Sequence, residues 1–170
     1  MTPPIRGPFD PEEPGLAERF APAGSIMLGS LLTIIPVITV IGILPPFGLL
    51  MLLGWRLLRH DSLPIWAPLP LGMFDDLLSG QPFGSAMLLW TMCFIMIDLL
   101  DQRLVWRDFW QDWTLAAGSI AFCLIAGRLL AVPINAHVDT VLLVQIMVSA
   151  LLYPMIARVC AWIEGKRSAT

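Results

Sequence analysis

Long apolar stretches, interrupted by prolines, fill the chain from Ser25 to Ile163. A membrane-spanning helix needs about 20 apolar residues, within a range of about 17–25. In lipid every backbone polar group has to be satisfied internally, so a chain of this kind folds as helices. Six spans are expected: Ser25–Leu44, Phe47–Leu58, Pro64–Gly80, Gly84–Leu104, Asp112–Val132 and Val138–Ile163. Pro45-Pro46, Pro64, Pro82 and Pro133 fall where a helix has to start or stop. Composition agrees, with 57% hydrophobic and 14% charged residues, against about 45–50% and about 25% in soluble domains. The expected fold class is all-α: a polytopic membrane protein, a compact bundle of about six transmembrane helices. Phe47–Leu58 is the short member, about 18 Å long against a hydrocarbon core of about 30 Å. With Pro64, Pro68 and Pro70 opening the next segment, that pair also fits a shallow hairpin entering from the cytoplasmic side.

Residues 1–24 are polar and carry six prolines, at positions 3, 4, 8, 11, 14 and 22. They lack the basic start and apolar core of a cleavable signal. Too little apolar surface is present to offset ordering entropy, so a disordered cytoplasmic tail is expected over 1–24. A single transmembrane domain follows over 25–163, and a short cytoplasmic tail over 164–170. Lys and Arg set the orientation. With the N-terminus inside, Arg6, Arg19, Arg56, Arg59, Arg103, Arg107, Arg158, Lys166 and Arg167 fall on inner loops and tails, none falls outside, and Arg128 lies within a span. Both termini are therefore expected in the cytoplasm. Trp55, Trp106, Trp110, Trp113 and Trp162 gather toward the inner interface, where aromatic anchors belong.

Several function classes fall away at this stage. A net charge of −3 gives no basic face for nucleic acid. Cys93, Cys123 and Cys160 are far apart in sequence and sit in apolar runs, which reads as buried small side chains. His60 and His137 lie in separate loops, so no metal site and no cofactor is expected.

Ionisable residues inside a span are costly and call for an account. Here they are Asp75, Asp76, Asp98, Asp101 and Arg128. Neighbouring residues on a helix point about 100° apart, so Asp75 and Asp76 cannot serve one substrate atom as acid and base. Asp76 and Asp98 would differ in depth by about 15 Å. No catalytic residue is assigned, and the chain is not expected to be an enzyme. Asp98 and Asp101 lie near the inner interface, within reach of Arg103.

The stretch GMFDDLLSGQPFG, residues 72–84, reads instead as a structural device. Gly72 admits a close helix, Ser79-Gly80 ends the span with Gly80 suited to a left-handed position, and Gly84 begins the next. Asp76, facing the bundle, pins this hairpin by accepting hydrogen bonds from the loop or by pairing with Arg128 at equal depth. Asp75 leans toward outer water. Small residues mark packing faces at Ser25, Gly29 and Thr33 on the first span and at Ala117 and Ala121 on the fifth. Polar rows Thr91–Asp98–Gln102 and Gln145–Ser149–Tyr153 read as interhelical contacts.

The spacing Gly72-x-x-x-Asp76-x-x-Ser79-Gly80-x-x-x-Gly84 resembles the signature of the MreD family of rod-shape-determining membrane proteins. Trp55-Arg56-Leu57-Leu58-Arg59, the Pro64 and Trp66 that precede the signature helix, and Tyr153-Pro154 resemble that family too. The likeness runs from about residue 27 to 163 and is most specific over 64–90; the proline-rich start departs from it. It implies a non-catalytic protein of the bacterial inner membrane, acting with MreC, RodA and its penicillin-binding transpeptidase, and indirectly with MreB filaments, in lateral peptidoglycan synthesis. It also implies a fold similar to the substrate-binding subunits of energy-coupling-factor transporters. That kinship supplies the alternative, a small-molecule-binding or transport subunit. Such a subunit needs an outer cavity with several convergent polar groups, whereas the outer loops here are short: Pro45-Pro46, Gln81–Phe83 and Pro133–His137.

Overall fold

The computed structural model describes residues 16–32, 45–59, 63–80, 82–102, 108–131 and 140–167. Regular structure among them is entirely helical: α1 Leu16–Leu32, α2 Phe47–Leu58, α3 Pro68–Ser79, α4 Ser85–Asp101, α5 Phe109–Ala131 and α6 Thr140–Arg167. Two of these, α5 and α6, are long and apolar enough to cross a membrane.

The first helix begins earlier than expected. Leu16–Gly24 belongs to α1, so the predicted disordered tail does not extend to residue 24. Pro22 has no N–H and forfeits one helical hydrogen bond. It is nonetheless fully buried, and its carbonyl accepts a bond from Ser25 Oγ at 2.8 Å. Packing outweighs the proline penalty there. The second half of the expected first span, including Thr33, lies outside the described residues.

At the centre stands α2, which packs against α1, α5 and α6. Leu49, Leu50, Leu52, Leu53, Trp55 and Leu57 are all buried in the core. Two close approaches bring its neighbours in. A Cβ on Gly29 of α1 would stand 3.1 Å from the Phe47 carbonyl oxygen, and one on Gly54 would stand 2.9 Å from Cys160 Sγ of α6. Trp55 is fully buried and donates its indole N–H to Ser25 Oγ at 2.7 Å, so it is a core residue and not an interfacial anchor. Trp110 and Trp162 remain exposed.

Around this centre α3 packs on α4 and α1, and α5 packs on α4 and α6. The buried stripe of α5 is Ala116, Ile120 and Cys123. Ala117 and Ala121, expected as its packing face, stand one position round and are half-buried. A proline decides how α5 meets α6. Pro154 sits inside α6 and cannot donate to the carbonyl four residues back. That carbonyl belongs to Ala150, and Trp113 Nε1 of α5 donates to it at 3.1 Å. Pro154 thus leaves an acceptor that a neighbouring helix fills.

Candidate functional site

The signature residues assemble at the α3–α4 hairpin. Gly72 lies where the two backbones touch: a Cβ there would stand 2.6 Å from Met87 Cα and 2.7 Å from Met87 N. One turn further along the same face is Asp76, because residues four apart on a helix are neighbours. Its carboxylate reaches the start of α4 and accepts four hydrogen bonds. Oδ1 takes Ser85 Oγ at 3.0 Å and Ala86 N at 2.8 Å. Oδ2 takes Gly84 N at 3.0 Å and Met87 N at 3.3 Å.

Gly84 holds the N-cap position of α4 and has no side chain to cap with. The first N–H groups of a helix have no partner within it, and they attract negative charge. Asp76 supplies both the acceptors and the charge from the preceding helix. The turn between them uses two left-handed glycines, Gly80 at φ 66° and Gly84 at φ 94°, a backbone conformation that costs other residues about 1–2 kcal/mol. Ser79 sits exposed in the last turn of α3. A carboxylate has about four lone-pair sites, and here four donors fill them. Asp76 is buried, and its geometry leaves no acceptor for a substrate proton.

Ion pairs among the described residues are Arg56–Asp98, Arg56–Asp101 and Arg59–Glu164. An Asp76–Arg128 pair is not among them, and Arg128 stands exposed near the end of α5. The physical reason is local: the first amides of α4 lie in direct hydrogen-bond contact with the Asp76 carboxylate, and α3 packs on α4 and α1.

Asp75 does not lean into outer water either. It is half-buried, with its carboxylate turned toward Ser30 of α1. The two side chains converge over Gly48 of α2, where a Cβ would collide with Ser30 Oγ and stand 3.2 Å from Asp75 Oδ1. Adjacent aspartates point about 100° apart on a helix, so one is bonded to α4 and the other faces α1.

A second polar cluster was not foreseen. Arg56 is 2% exposed, and its Nη2 lies 2.5 Å from Asp98 Oδ1 and 4.0 Å from Asp101 Oδ2, both on α4. Its guanidinium also lies 4.8 Å from the centre of the Phe94 ring. The sequence alone places Arg56 with the loop charges and leaves these aspartates to Arg103, which lies outside the described residues. The clue in the sequence was Leu57-Leu58: two apolar residues follow Arg56, so it falls inside the helical run. Gln102 Nε2 adds a bond to Asp98 Oδ2 at 3.3 Å. Arg59 meets Glu164 of α6 at 2.6 Å, and Lys166 lies 4.3 Å over the Trp162 ring. These contacts bring the C-terminal ends of α2, α4 and α6 together at one end of the bundle.

Of the polar rows, Asp98 makes the expected interhelical contact, with Arg56, while the hydroxyls bond within their own helices. Thr91 Oγ1 donates to the Met87 carbonyl at 2.7 Å and Ser149 Oγ to the Gln145 carbonyl at 2.6 Å. Among the described residues, His, Cys, Asp and Glu form no group of three that could hold a metal ion. Comparisons with protein-family models, with curated proteins and with solved structures returned no match.

Proposed function

We propose that this chain is a non-catalytic, multi-pass scaffold of the bacterial inner membrane, similar to MreD, with both termini in the cytoplasm. Its role is to hold the cell-elongation machinery together, organising lateral peptidoglycan synthesis with MreC, RodA and its partner transpeptidase. One observation carries the reading: the residues that resemble the family signature spend their chemistry on the fold itself. Gly72 makes a backbone contact, Asp76 caps the next helix, and Gly80 and Gly84 shape the turn. A binding or catalytic site needs polar groups aimed at a ligand, whereas the Asp76 carboxylate is aimed at its own neighbour. The clustering of Arg56, Arg59 and Lys166 at one end supports a single cytoplasmic face. The long apolar faces of α5 and α6 support residence in lipid.

Deletion in the host tests the proposal. Rod-shaped cells are expected to become spheres, with membrane insertion of other proteins unchanged, and the intact chain is expected to restore rods. Rods that persist after deletion overturn the shape-determining role. Reporter fusions after Arg59 and Thr170 are expected to read cytoplasmic. A periplasmic C-terminus overturns the orientation.

A further inference from the structure

Cys93 and Cys123 lie on different helices, yet their Sγ atoms stand 3.3 Å apart. Cys93 belongs to α4 and Cys123 to the buried stripe of α5. Both are free thiols, at 3% and 7% exposure. Neither takes part in the α3–α4 hairpin or the Arg56 cluster. Cys93 Sγ also donates to the Ser119 carbonyl of α5 at 3.8 Å. A disulfide needs an S–S distance of about 2.0 Å, so the two sulfurs would close by about 1.3 Å. Cys160 has a different surrounding: its thiol faces Met51 Sδ at 3.6 Å, and a thioether forms no disulfide.

We propose that Cys93 and Cys123 form an oxidisable dithiol, closed by a peroxide into an intramolecular disulfide that ties α4 to α5. Burial selects the oxidant. A small neutral peroxide reaches an apolar interior that bulky or charged reagents do not. In the first step one cysteine sulfur attacks a peroxide oxygen; the O–O bond breaks, a sulfenic acid forms and one water leaves. The other cysteine sulfur then displaces the sulfenic oxygen; the S–O bond breaks, the S–S bond forms and a second water leaves. Two thiols lose two electrons and two protons, and one hydrogen peroxide becomes two waters. The effect of closure is to fix the rotation and register of α4 against α5.

Membranes containing the intact protein are treated with hydrogen peroxide, the peroxide is removed, and the protein is denatured in the presence of N-ethylmaleimide to block every free thiol. It is then reduced and labelled with a maleimide–polyethylene glycol, and unreduced peptides are weighed in parallel. The result expected is two of the three thiols protected as a disulfide, with the peptide containing Cys93 linked to that containing Cys123. Cys160→Ser is expected to close the same bond, while Cys93→Ser and Cys123→Ser keep both remaining thiols. Three free thiols in the wild type overturn the proposal. So does a disulfide between two chains, one that includes Cys160, or loss of the pair as sulfinic acid without a linked peptide. Wild type and Cys160→Ser alone decide the outcome if either of the other variants fails to fold.

Discussion

In α2, nine of twelve residues are buried, Arg56 among them. In α6, which is 28 residues long, the buried positions are Leu142, Ser149, Tyr153, Ile156 and Cys160. These fall seven, four, three and four residues apart, a single stripe facing α2 and α5. Leu143, Met147, Leu151 and Met155 point outward. Both helices look like membrane spans by composition. Hydrophobicity alone therefore does not separate a helix with an uncovered apolar face from one enclosed by its neighbours. Length does: α2 is about 18 Å and α6 about 42 Å at the standard rise. A short helix surrounded on every side tolerates a charge, provided partners are at hand. The long one leaves one apolar face uncovered; in a membrane that face would meet lipid, where a charge has to snorkel or be paired.

That contrast can be broken most severely at Arg56. Arg56→Ala leaves Asp98 and Asp101 without this counter-charge, and breaking a buried pair costs about 3–5 kcal/mol. Loss of the folded protein in detergent, followed by circular dichroism on heating, is the measurement. A stable Arg56→Ala protein would mean that the α2–α4 cluster is not buried as described.

Next comes Asp76→Ala, which strands three backbone N–H groups at the start of α4. A buried group left unpaired costs about 1–3 kcal/mol, so a loss of about 3 kcal/mol is expected. Combining it with Arg128→Gln sharpens the point: the two effects are expected to add, with a coupling below about 0.5 kcal/mol. A larger coupling would restore the charge pair that the geometry replaces with amides.

A matched pair tests the contrast directly. Leu53→Ala in α2 opens a cavity, with an expected cost of at least about 2 kcal/mol. Leu151→Ala on the outer face of α6 is expected to stay within about 0.5 kcal/mol. Equal effects in the same detergent would remove the distinction between core and outer face. The smallest of these core perturbations is Trp113→Phe. It deletes the donor to the Ala150 carbonyl beside Pro154 and is expected to cost about 1 kcal/mol. A loss of that donor with no change in stability would assign the α5–α6 contact to packing alone.

Much of this was legible in the residues. Apolar runs and their prolines mark the places of α2 to α6, since an apolar run satisfies its backbone most simply as a helix, whereas α1 starts at Leu16, ahead of its apolar run. Gly72, Asp76, Gly80 and Gly84 announce the hairpin through their spacing: four residues bring the close contact and the carboxylate onto one face, and two glycines allow the turn. Even the choice between loop amides and Arg128 was already framed there, though not decided.

The tertiary structure decided the partners. Which of two adjacent aspartates meets α4 and which meets α1 follows from the rotation of α3, fixed by the Gly72–Met87 backbone contact. Arg56 reads as a loop charge until α4 is seen to bring two carboxylates and Phe94 around it. Cys93 and Cys123 are 30 residues apart in the chain, and no spacing rule links them; only the packing of α4 on α5 does. Local spacing determines what a helix offers on each face. Which face another helix covers depends on contacts distant in sequence, and a single sequence carries no direct record of those.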